Sequence, residues 1–472
     1  MYLYDLDGVG VLGPDEPRYA AIGRAMAVTG DLVTPRLWGS LWFEKPPLLY
    51  WMTASGSALG LTPDLAGRLP VVLLSLLFLV VSGWLVKREF GSQTGAISTA
   101  LCATSAGWLA YSGLCLTDVP LAIFFSMAVL LALPLLRDDP DHTSVTLRFA
   151  LIGACLGIGT LAKGLVPIVL AVPFAWFLRA HWKRWWQAVI ACAVTALPWY
   201  VAVYLRNGFP FIEEFFVRHH FERLYSASLQ HVQPWYYYVP VLLAGLFPWT
   251  PLLGLLRRRG VVWDRRRQFL ASVVAFGFLF FSISLNKLPG YLLPLIPALF
   301  VLIAAQLEPS PVGRIGKAWL LVCAGMIALI PAVAAILPAS LMFGKLSFTA
   351  FKGFDRTTGF YVALPVVAVV LGRRSWIGPL LILCVVAGGI YVKASAYPVL
   401  DSQYSARGLW RKLEPVAGQL CDAGTNRDWI YGLNFYRGAA IPPCDQDHEG
   451  VALRSNGHGQ PSAAPWKTTG IR

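Results

Sequence analysis

The sequence predicts an all-α integral membrane protein with about twelve transmembrane helices. Of its 472 residues, 56% are hydrophobic and only 14% are charged, too few to surround a soluble core with polar surface. Apolar runs of about 17 to 25 residues, the length that crosses a bilayer, recur along the chain, and several further runs are shorter or contain proline. Backbone in lipid must satisfy its own hydrogen bonds, and the sequence has no alternating β-barrel pattern, so helices are the economical interpretation.

The polar stretches divide the chain into four expected regions. In chain order these are a first outer loop with interfacial helices, a transmembrane core, a small outer domain and a disordered tail, at residues 1–67, 68–393, 394–446 and 447–472. The expected spans are Leu69–Val86, Thr94–Ser112, Val119–Leu136, Phe149–Ala162, Val166–Leu178, Ala188–Leu205, Tyr236–Leu256, Phe269–Leu285, Leu288–Gln306, Ala318–Leu337, Phe360–Leu371 and Trp376–Val392.

Basic residues predict the orientation, because cytoplasmic loops are enriched in Lys and Arg. If every expected span is real, the basic loops all fall on one side: Lys87-Arg88, RAHWKR, RRRGVVWDRRR, Arg314 with Lys317, and Arg373-Arg374. That side should be cytoplasmic, with the C-terminus and the other polar clusters outside. The net charge of +14 therefore indicates topology rather than nucleic-acid binding, since the basic runs lie between apolar spans without a stacking platform.

The polar tail contains Cys421 and Cys444, whereas the other six cysteines lie in or beside apolar segments and are expected to be small buried hydrophobes. If the tail lies outside the cytoplasm, the two tail cysteines could form a disulfide or remain free thiols. Within the tail we expect an amphipathic helix in SARGLWRKLEPVAGQL and a strand in DWIYGL.

The first outer loop begins with an adjacent acidic pair, Asp15 and Glu16, followed by Pro17 and Arg18. Proline in the first turn and acidic residues at the N-terminus are typical of a helix start, so the pair could be purely structural. The alternative is catalytic. Arg18 would keep a nearby carboxylate ionised, and an ionised carboxylate at a membrane face suits a general base.

Three lysines are expected near the same outer face: Lys45, Lys163 and Lys287. Each alone could simply reach the lipid headgroups or occupy a turn. Together they indicate a bound anion, most simply the phosphate of a lipid-linked substrate. Asp118 lies at the outer entry of a span on this face, where a helix cap and a site acid are both open interpretations.

The long outer loop FFVRHHFERLYSASLQHVQP carries His219, His220, Arg223 and His231. Histidines and carboxylates together can bind zinc, and Glu44 could contribute to such a site. The spacing matches no closed structural zinc site, so the sequence alone leaves metal binding open.

Several long motifs, in this order, point to one family: DEPRYAAIGRAM, FEKPPLLYW, LTDVPLAIF, LAKG, RHHFER and NKLPGYLLPLIPAL. From about Val11 to Leu299 the chain resembles the bacterial polyprenyl-phosphate-sugar glycosyltransferases of the GT-C superfamily. The best-known members transfer 4-amino-4-deoxy-L-arabinose to lipid A, and they are relatives of protein O-mannosyltransferases. The resemblance implies a bacterial inner-membrane enzyme with its site on the periplasmic face, a polyprenyl-phosphate-linked sugar donor and a lipid or glycolipid acceptor.

The resemblance also implies roles for individual residues. Asp15 would be the general base of a single, inverting displacement that needs no nucleotide and no obligatory cofactor. The implied catalytic carboxylates are Asp15, Glu16 and Asp118. The implied contacts to the sugar donor are Arg18, Tyr19, Lys45, Lys163, Arg223 and Lys287. A metal site, with zinc as the candidate ion, would use Glu44, His219 and His220.

The sequence leaves three alternatives open. A protein acceptor would make the enzyme more like the O-mannosyltransferases. A secondary transporter of about twelve spans is the second alternative, but a transporter should have related halves and polar groups near the bilayer midplane, whereas the polar groups here gather at one face. A lipid-binding assembly factor without catalysis is the third.

Family members carry a first transmembrane helix before this outer loop, whereas only about ten residues precede Pro14 here. We therefore expect the sequence to start inside or just after the first helix of its gene, with Met1 an internal residue. An apolar run of about twenty codons in frame upstream would confirm this expectation, and a stop codon immediately upstream would contradict it.

Overall fold

The structure is a computed structural model that describes residues 1–137, 145–215, 232–257, 263–307, 314–343, 356–372, 374–445, 450–456 and 459–466. Within these ranges nearly all regular structure is helical, and the few short strands lie in the first loop and near the C-terminal end. The helical fold class predicted from the apolar runs is confirmed. The N-terminal segment and the C-terminal domain pack against one another.

The N-terminal segment forms two helices joined by a small hairpin. The first helix starts directly after Pro14 with both acidic residues in its first turn, as proline and acidic residues favour, and ends at Gly30 in a left-handed conformation with φ of 71°. The helix predicted from DEPRYAAIGRAM is thus confirmed. The elements are α1 (Asp15–Thr29), β1 (Arg36–Leu37), β2 (Ser40–Leu41) and α2 (Leu48–Ala58).

The membrane core follows as a series of apolar helices. Among the described residues, seven are long and apolar enough to cross a membrane, or up to nine if each of two bent pairs is one span. The core helices are α3 (Pro63–Phe90), α4 (Ser92–Ala103), α5 (Ala106–Ser112), α6 (Asp118–Ala132), α7 (Val145–Lys163), α8 (Val166–Leu170), α9 (Val172–Phe177), α10 (Trp185–Asn207), α11 (Phe209–Ile212), α12 (Tyr238–Gly245), α13 (Arg265–Ile283), α14 (Ile296–Leu307), α15 (Arg314–Ala328), α16 (Ile330–Phe343), α17 (Arg356–Leu371) and α18 (Arg374–Gln403), with 3-10 helices at Leu133–Leu136, Arg179–Arg184, Thr250–Arg257 and Pro289–Leu295.

Four of the expected spans are broken in the structure. Thr94–Ser112 is interrupted in its middle, and Val166–Leu178 consists of two pieces too short to cross a bilayer. Tyr236–Leu256 bends by 104° beside Pro248, and Ala318–Leu337 bends by 48° between α15 and α16. Proline accompanies the second and third breaks, because it lacks an N–H and clashes with the preceding turn. The count of about twelve spans therefore stays a prediction.

Helices α7 and α10 approach each other unusually closely. A Cβ atom at Gly153 would collide with the carbonyl oxygen of Ala188, and one at Gly157 would collide with the hydroxyl of Thr195. Small residues four apart on one helix face are a common device for packing membrane helices, since lipid supplies little hydrophobic drive between them. This contact packs α7, the helix that ends at Lys163, against α10.

The C-terminal domain is a small sheet packed with two helices. Strand order is β3-β4-β5, with β3 parallel to β4 and β4 antiparallel to β5, and a disulfide joins Cys421 to Cys444. The pairing that the sequence left open is therefore present. The elements are α19 (Ala406–Leu413), a 3-10 helix (Glu414–Gln419), β3 (Leu420–Asp422), α20 (Arg427–Arg437), β4 (Gly450–Ser455) and β5 (Pro461–Trp466).

Two expectations for this domain were wrong. DWIYGL is part of helix α20 rather than a strand, because the side chain of Asn426 caps its start and Gly438 in a left-handed conformation ends it. Residues 450–455 and 461–466 form strands rather than a disordered tail, since Leu453 of β4 enters the buried core of the domain. The amphipathic helix expected in SARGLWRKLEPVAGQL is confirmed over its first half as α19, whereas the second half forms a 3-10 helix.

Candidate active site

Four side chains around the start of α1 form a continuous ionic cluster. Arg18 pairs with Asp15 one turn earlier and, through Nη1, with Oε2 of Glu44 at 2.7 Å. The other oxygen of Glu44 accepts from Nζ of Lys45 at 2.9 Å. The side chain of Asp15 is 38% exposed, whereas those of Arg18, Glu44 and Lys45 are 8% to 12% exposed. Asp15 is thus the accessible end of an otherwise enclosed charge network.

Aromatic rings surround the guanidinium of Arg18. Its central carbon lies 5.8 Å from the ring centroid of Tyr19, 5.4 Å from that of Trp42 and 5.5 Å from that of Tyr431. Burial lowers the pKa of Arg18, but Glu44, Tyr19 and Asp15 together raise it above the ordinary value. Arg18 therefore stays charged, and cation–π contacts restrict where its charge can lie.

Glu16, the neighbour of Asp15, lies in a different environment. Its two oxygens accept from Nε and Nη2 of Arg68 at 2.7 and 2.8 Å, from the backbone N–H of Cys115 at 3.0 Å and from that of Leu12 at 2.9 Å. Arg68 also donates to the carbonyls of Leu6, Val9 and Gly10. Both side chains are at most 3% exposed. These are the contacts of a structural ion pair that ties the N-terminal segment to helix α3.

A second acid–base pair joins the start of α6 to the end of α7. Nζ of Lys163 lies 2.6 Å from Oδ1 of Asp118 and 4.5 Å from the ring centroid of Tyr291. Gly290 lies beside this pair, and only a residue without a side chain fits there, because a Cβ atom would lie 2.7 Å from Oδ1 of Asp118. Asp118 is the first residue of α6, after the N-cap residue Thr117, and its side chain accepts from Nζ of Lys163.

Lys287 is enclosed by the loop after α13. The residue is 4% exposed, and its ammonium donates to the carbonyl of Gln233 at 3.1 Å and to that of Ser284. Burial lowers its pKa from the ordinary lysine value. The predicted site residues His219, His220 and Arg223 lie outside the described residues.

The C-terminal domain is joined to the N-terminal segment by a polar contact that we call the latch, formed by Asp64, Asp401, Arg407 and Tyr436. The hydroxyl of Tyr436 donates to Oδ1 of Asp64 at 2.7 Å, and Arg407 lies 3.3 Å from Oδ2 of Asp64 and 2.9 Å from Oδ1 of Asp401. Arg407 also donates to the carbonyls of residues 7 and 8.

Sequence reasoning missed Arg68, Tyr431 and the latch. A signal for Arg68 existed, because a charged residue near the head of an apolar span is expensive and therefore functional or structural by default. No local pattern marks Tyr431 or the latch, since their partners lie hundreds of residues away.

The described residues do not favour a metal ion at Glu44. Both of its oxygens already hold cations, Arg18 and Lys45, and a metal would have to displace them or compete with their charge. Within the described ranges no group of three or more His, Cys, Asp or Glu side chains has a metal-binding arrangement. The histidines expected to complete this site fall in the undescribed part of the outer loop.

Several known proteins are similar to this chain in sequence and in fold. Residues 9–211 match the family dolichyl-phosphate-mannose-protein mannosyltransferase. The undecaprenyl phosphate-alpha-4-amino-4-deoxy-L-arabinose arabinosyl transferase of Pseudomonas aeruginosa strain UCBPP-PA14 is 33% identical over 323 residues, covering 65% of this chain and 57% of the relative. The enzyme of the same name from Aeromonas salmonicida strain A449 is 30% identical over 366 residues, covering 73% and 66%. The chain thus spans little more than half the length of the first of these relatives.

Solved structures share the fold. ArnT from Cupriavidus metallidurans bound to undecaprenyl phosphate has a TM-score of 0.75 at 23% identity, covering 96% of this chain and 91% of that chain. Its apo state gives 0.71 at 24% identity, covering 96% and 90%. The chain is therefore a multi-pass membrane protein with an ArnT-like fold. The resemblance predicted from the motifs is confirmed: residues 9–211 match the protein mannosyltransferase family, and the chain is similar in sequence to the arabinosyl transferases and in fold to ArnT.

Proposed function

We propose that this protein is a membrane glycosyltransferase that moves a sugar from a polyprenyl-phosphate donor to a lipid A-like acceptor. The observation that carries the proposal is the ionic cluster of Asp15, Arg18, Glu44 and Lys45, in which one carboxylate is accessible beside a largely buried cation. The relatives named as undecaprenyl phosphate-sugar transferases support the substrate class.

Asp15 is the general base in this proposal. It takes the proton from an acceptor hydroxyl while the oxygen attacks the anomeric carbon of the donor sugar. The bond from that carbon to the phosphate oxygen breaks, and its electron pair leaves with the polyprenyl phosphate. Attack and departure occur on opposite faces in a single step, so the configuration at the anomeric carbon inverts. Arg18 orients Asp15 through their ion pair.

Lysines neutralise the charge that develops on the departing phosphate. Lys45 and Lys163 are each held ready by a carboxylate partner, Glu44 and Asp118 respectively, and a bound phosphate would share or replace that partner. Lys287 is the third cation, held by carbonyls rather than by a described carboxylate. Arg223 stays a proposed fourth contact from the family resemblance. Glu16 acts here by holding the N-terminal segment on Arg68.

A groove between helices suits the lipid tail of the donor. An apolar cavity of about 620 Å³ lies between α7, α8, α9 and α10 and is open on one side. Its wall includes Leu156 and Thr160, which lie on the same helix as Lys163 and near the same end. A polyprenyl chain in this groove would bring its phosphate toward Lys163.

The site is proposed to face the periplasm. The latch and Tyr431 put the C-terminal domain on the same side as α1, and the disulfide between Cys421 and Cys444 is typical of an oxidising compartment. The basic loops predicted to be cytoplasmic would then lie on the opposite side.

Purified protein incubated with undecaprenyl-phosphate-linked 4-amino-4-deoxy-L-arabinose and lipid A tests the proposal. We expect a sugar-modified lipid A and free undecaprenyl phosphate in equal amounts, measured by mass spectrometry. Absence of both products with this and other polyprenyl-phosphate sugars would contradict the proposal and favour a transport or assembly role.

A protein acceptor is the second candidate, because residues 9–211 match a protein mannosyltransferase family. A glycosylated peptide, with lipid A left unmodified in the same incubation, would show that the acceptor is a protein.

A further inference from the structure

The C-terminal domain reaches the candidate site through one side chain, Tyr431 of α20. Its ring centroid lies 5.5 Å from the guanidinium carbon of Arg18 and 5.4 Å from the ring centroid of Trp38. Tyr431 is half-buried and lies at the edge of the core of its own domain. It therefore connects that core to the ionic cluster.

Trp38 is held in an uncommon backbone conformation where it contacts Tyr431. Its φ is 49° and that of Gly39 is 91°, in the two-residue turn between β1 and β2. Such turns favour Asn, Asp or Gly, and a bulky residue there persists only when its surroundings hold it. The contact with Tyr431 is one such support, so the hairpin and the C-terminal domain brace each other.

The latch prevents the domain from moving away as a unit. Three of its residues, Asp401, Arg407 and Tyr436, are on the C-terminal side, and they hold the Asp64 carboxylate together with carbonyls of the segment just before α1. Tyr436 lies five residues from Tyr431 on the same helix, α20. A helix fixed at one position in this way presents Tyr431 to Arg18 in a defined geometry.

We propose that Tyr431 is a positioning residue, and that the C-terminal domain completes the active site by fixing the guanidinium of Arg18 against its ring. This inference rests on the proposed function of Asp15. Arg18 uses one amino group for Asp15 and the other for Glu44, so a shift of its guanidinium would disturb both carboxylates. Tyr19 and Trp42 belong to the same segment as Arg18, whereas Tyr431 is the ring that anchors this segment from outside.

Three variants of the full-length protein in lipid nanodiscs test the inference. Tyr431→Leu removes the ring from Arg18, Tyr431→Phe keeps the ring and removes the hydroxyl, and Trp410→Leu is the matched control. Trp410 packs against the same domain core as Tyr431, on helix α19. Sugar transfer from the undecaprenyl-phosphate donor is followed to obtain kcat and the donor KM, and thermal unfolding is recorded for each variant.

We expect Tyr431→Leu to lose roughly tenfold in kcat, with the donor KM within about twofold, because a desolvated cation–π contact is of that strength. Tyr431→Phe should retain wild-type kcat, and Trp410→Leu should lower the unfolding temperature as much as Tyr431→Leu without lowering kcat. Equal kcat values for Tyr431→Leu and Trp410→Leu, or an equal loss in Tyr431→Phe, would overturn the inference.

A second measurement does not depend on turnover. Unfolding temperatures of Arg18→Met, Tyr431→Leu and the double variant form a cycle, in which contacting residues give non-additive shifts. Non-additivity supports the contact, and additive shifts overturn the inference. If the wild-type protein transfers no sugar, the proposed function fails, while this cycle still decides whether Tyr431 holds Arg18.

Discussion

Asp15 and Glu16 are adjacent in the first turn of α1, yet their surroundings differ in the ways that decide what a carboxylate does. Glu16 is 2% exposed, and four donors occupy its oxygens. The Asp15 side chain is 38% exposed and pairs with Arg18 alone among the described ion pairs. Successive helical residues point about 100° apart, so neighbours can face a protein core and an open site. A carboxylate whose acceptor positions are all occupied by donors stabilises the fold, whereas a partly exposed carboxylate can accept a proton from a substrate.

The largest expected effect that would separate the two carboxylates is on turnover. Asp15→Asn keeps the shape of the side chain but removes the base, so kcat should fall by about 100-fold to 10,000-fold while the unfolding temperature stays near that of wild type. Product formation by mass spectrometry and a thermal melt measure both. Asp31→Asn is the control, because Asp31 lies just after the same helix and pairs with the exposed Arg206. Full transfer activity in Asp15→Asn would rule out the catalytic role.

The next effect is on stability and concerns the partner of Glu16. Arg68→Met leaves the Glu16 carboxylate buried without its cation, which should lower the free energy of unfolding by about 3 to 5 kcal/mol. Arg206→Met breaks an exposed pair and should cost no more than about 1 kcal/mol. Unfolding in mixed micelles measures both. Similar losses in the free energy of unfolding for the two variants would show that burial does not make the Arg68–Glu16 pair more important for stability than the Arg206–Asp31 pair.

A smaller effect is expected from Lys45, which shares the cluster of Asp15. Lys45→Met removes a charge-assisted bond to the donor phosphate, so the donor KM should rise by about tenfold to a hundredfold. Lys317→Met is the control, since Lys317 lies on the side predicted to be cytoplasmic. Steady-state kinetics with varied donor concentration give the values. An unchanged donor KM in Lys45→Met would remove Lys45 from the phosphate site.

The smallest expected effect is that of metal removal. Because Arg18 and Lys45 already hold both oxygens of Glu44, treatment with EDTA should change transfer activity by less than about twofold. Loss of activity on chelation, followed by recovery with zinc, would contradict this reading of the cluster and restore Glu44 as a metal ligand. EDTA saturated with zinc beforehand, which cannot remove zinc from the protein, serves as the control.

Local sequence was sufficient for those parts of the site whose residues are close together. The helix start at Pro14, the pairing of Asp15 with Arg18 and the adjacency of Glu44 to Lys45 all follow from short-range rules. The same rules could not distinguish Asp15 from Glu16. That distinction depends on Arg68, which approaches Glu16 only when α3 packs beside α1.

Contacts between distant segments were beyond prediction from pattern alone. Lys163 reaches Asp118 across 45 residues, and Tyr431 reaches Arg18 from the far end of the chain. Periodicity and motif spacing describe single elements, whereas these contacts depend on how whole helices pack. The two wrong expectations in the C-terminal domain have a similar cause, because the caps of α20 and the core position of Leu453 outweigh local composition.

The latch also affects the order in which the protein can be completed during synthesis. Arg407 bonds to the carbonyl of Asp7, 400 residues earlier in the chain. At about 5 to 20 residues per second, the ribosome needs roughly 20 to 80 seconds to produce the second partner after the first. The segment that leads into Asp15 is therefore made long before the residue that completes its native contacts. A chain that stops before Arg407 would reach the membrane with an unfinished site.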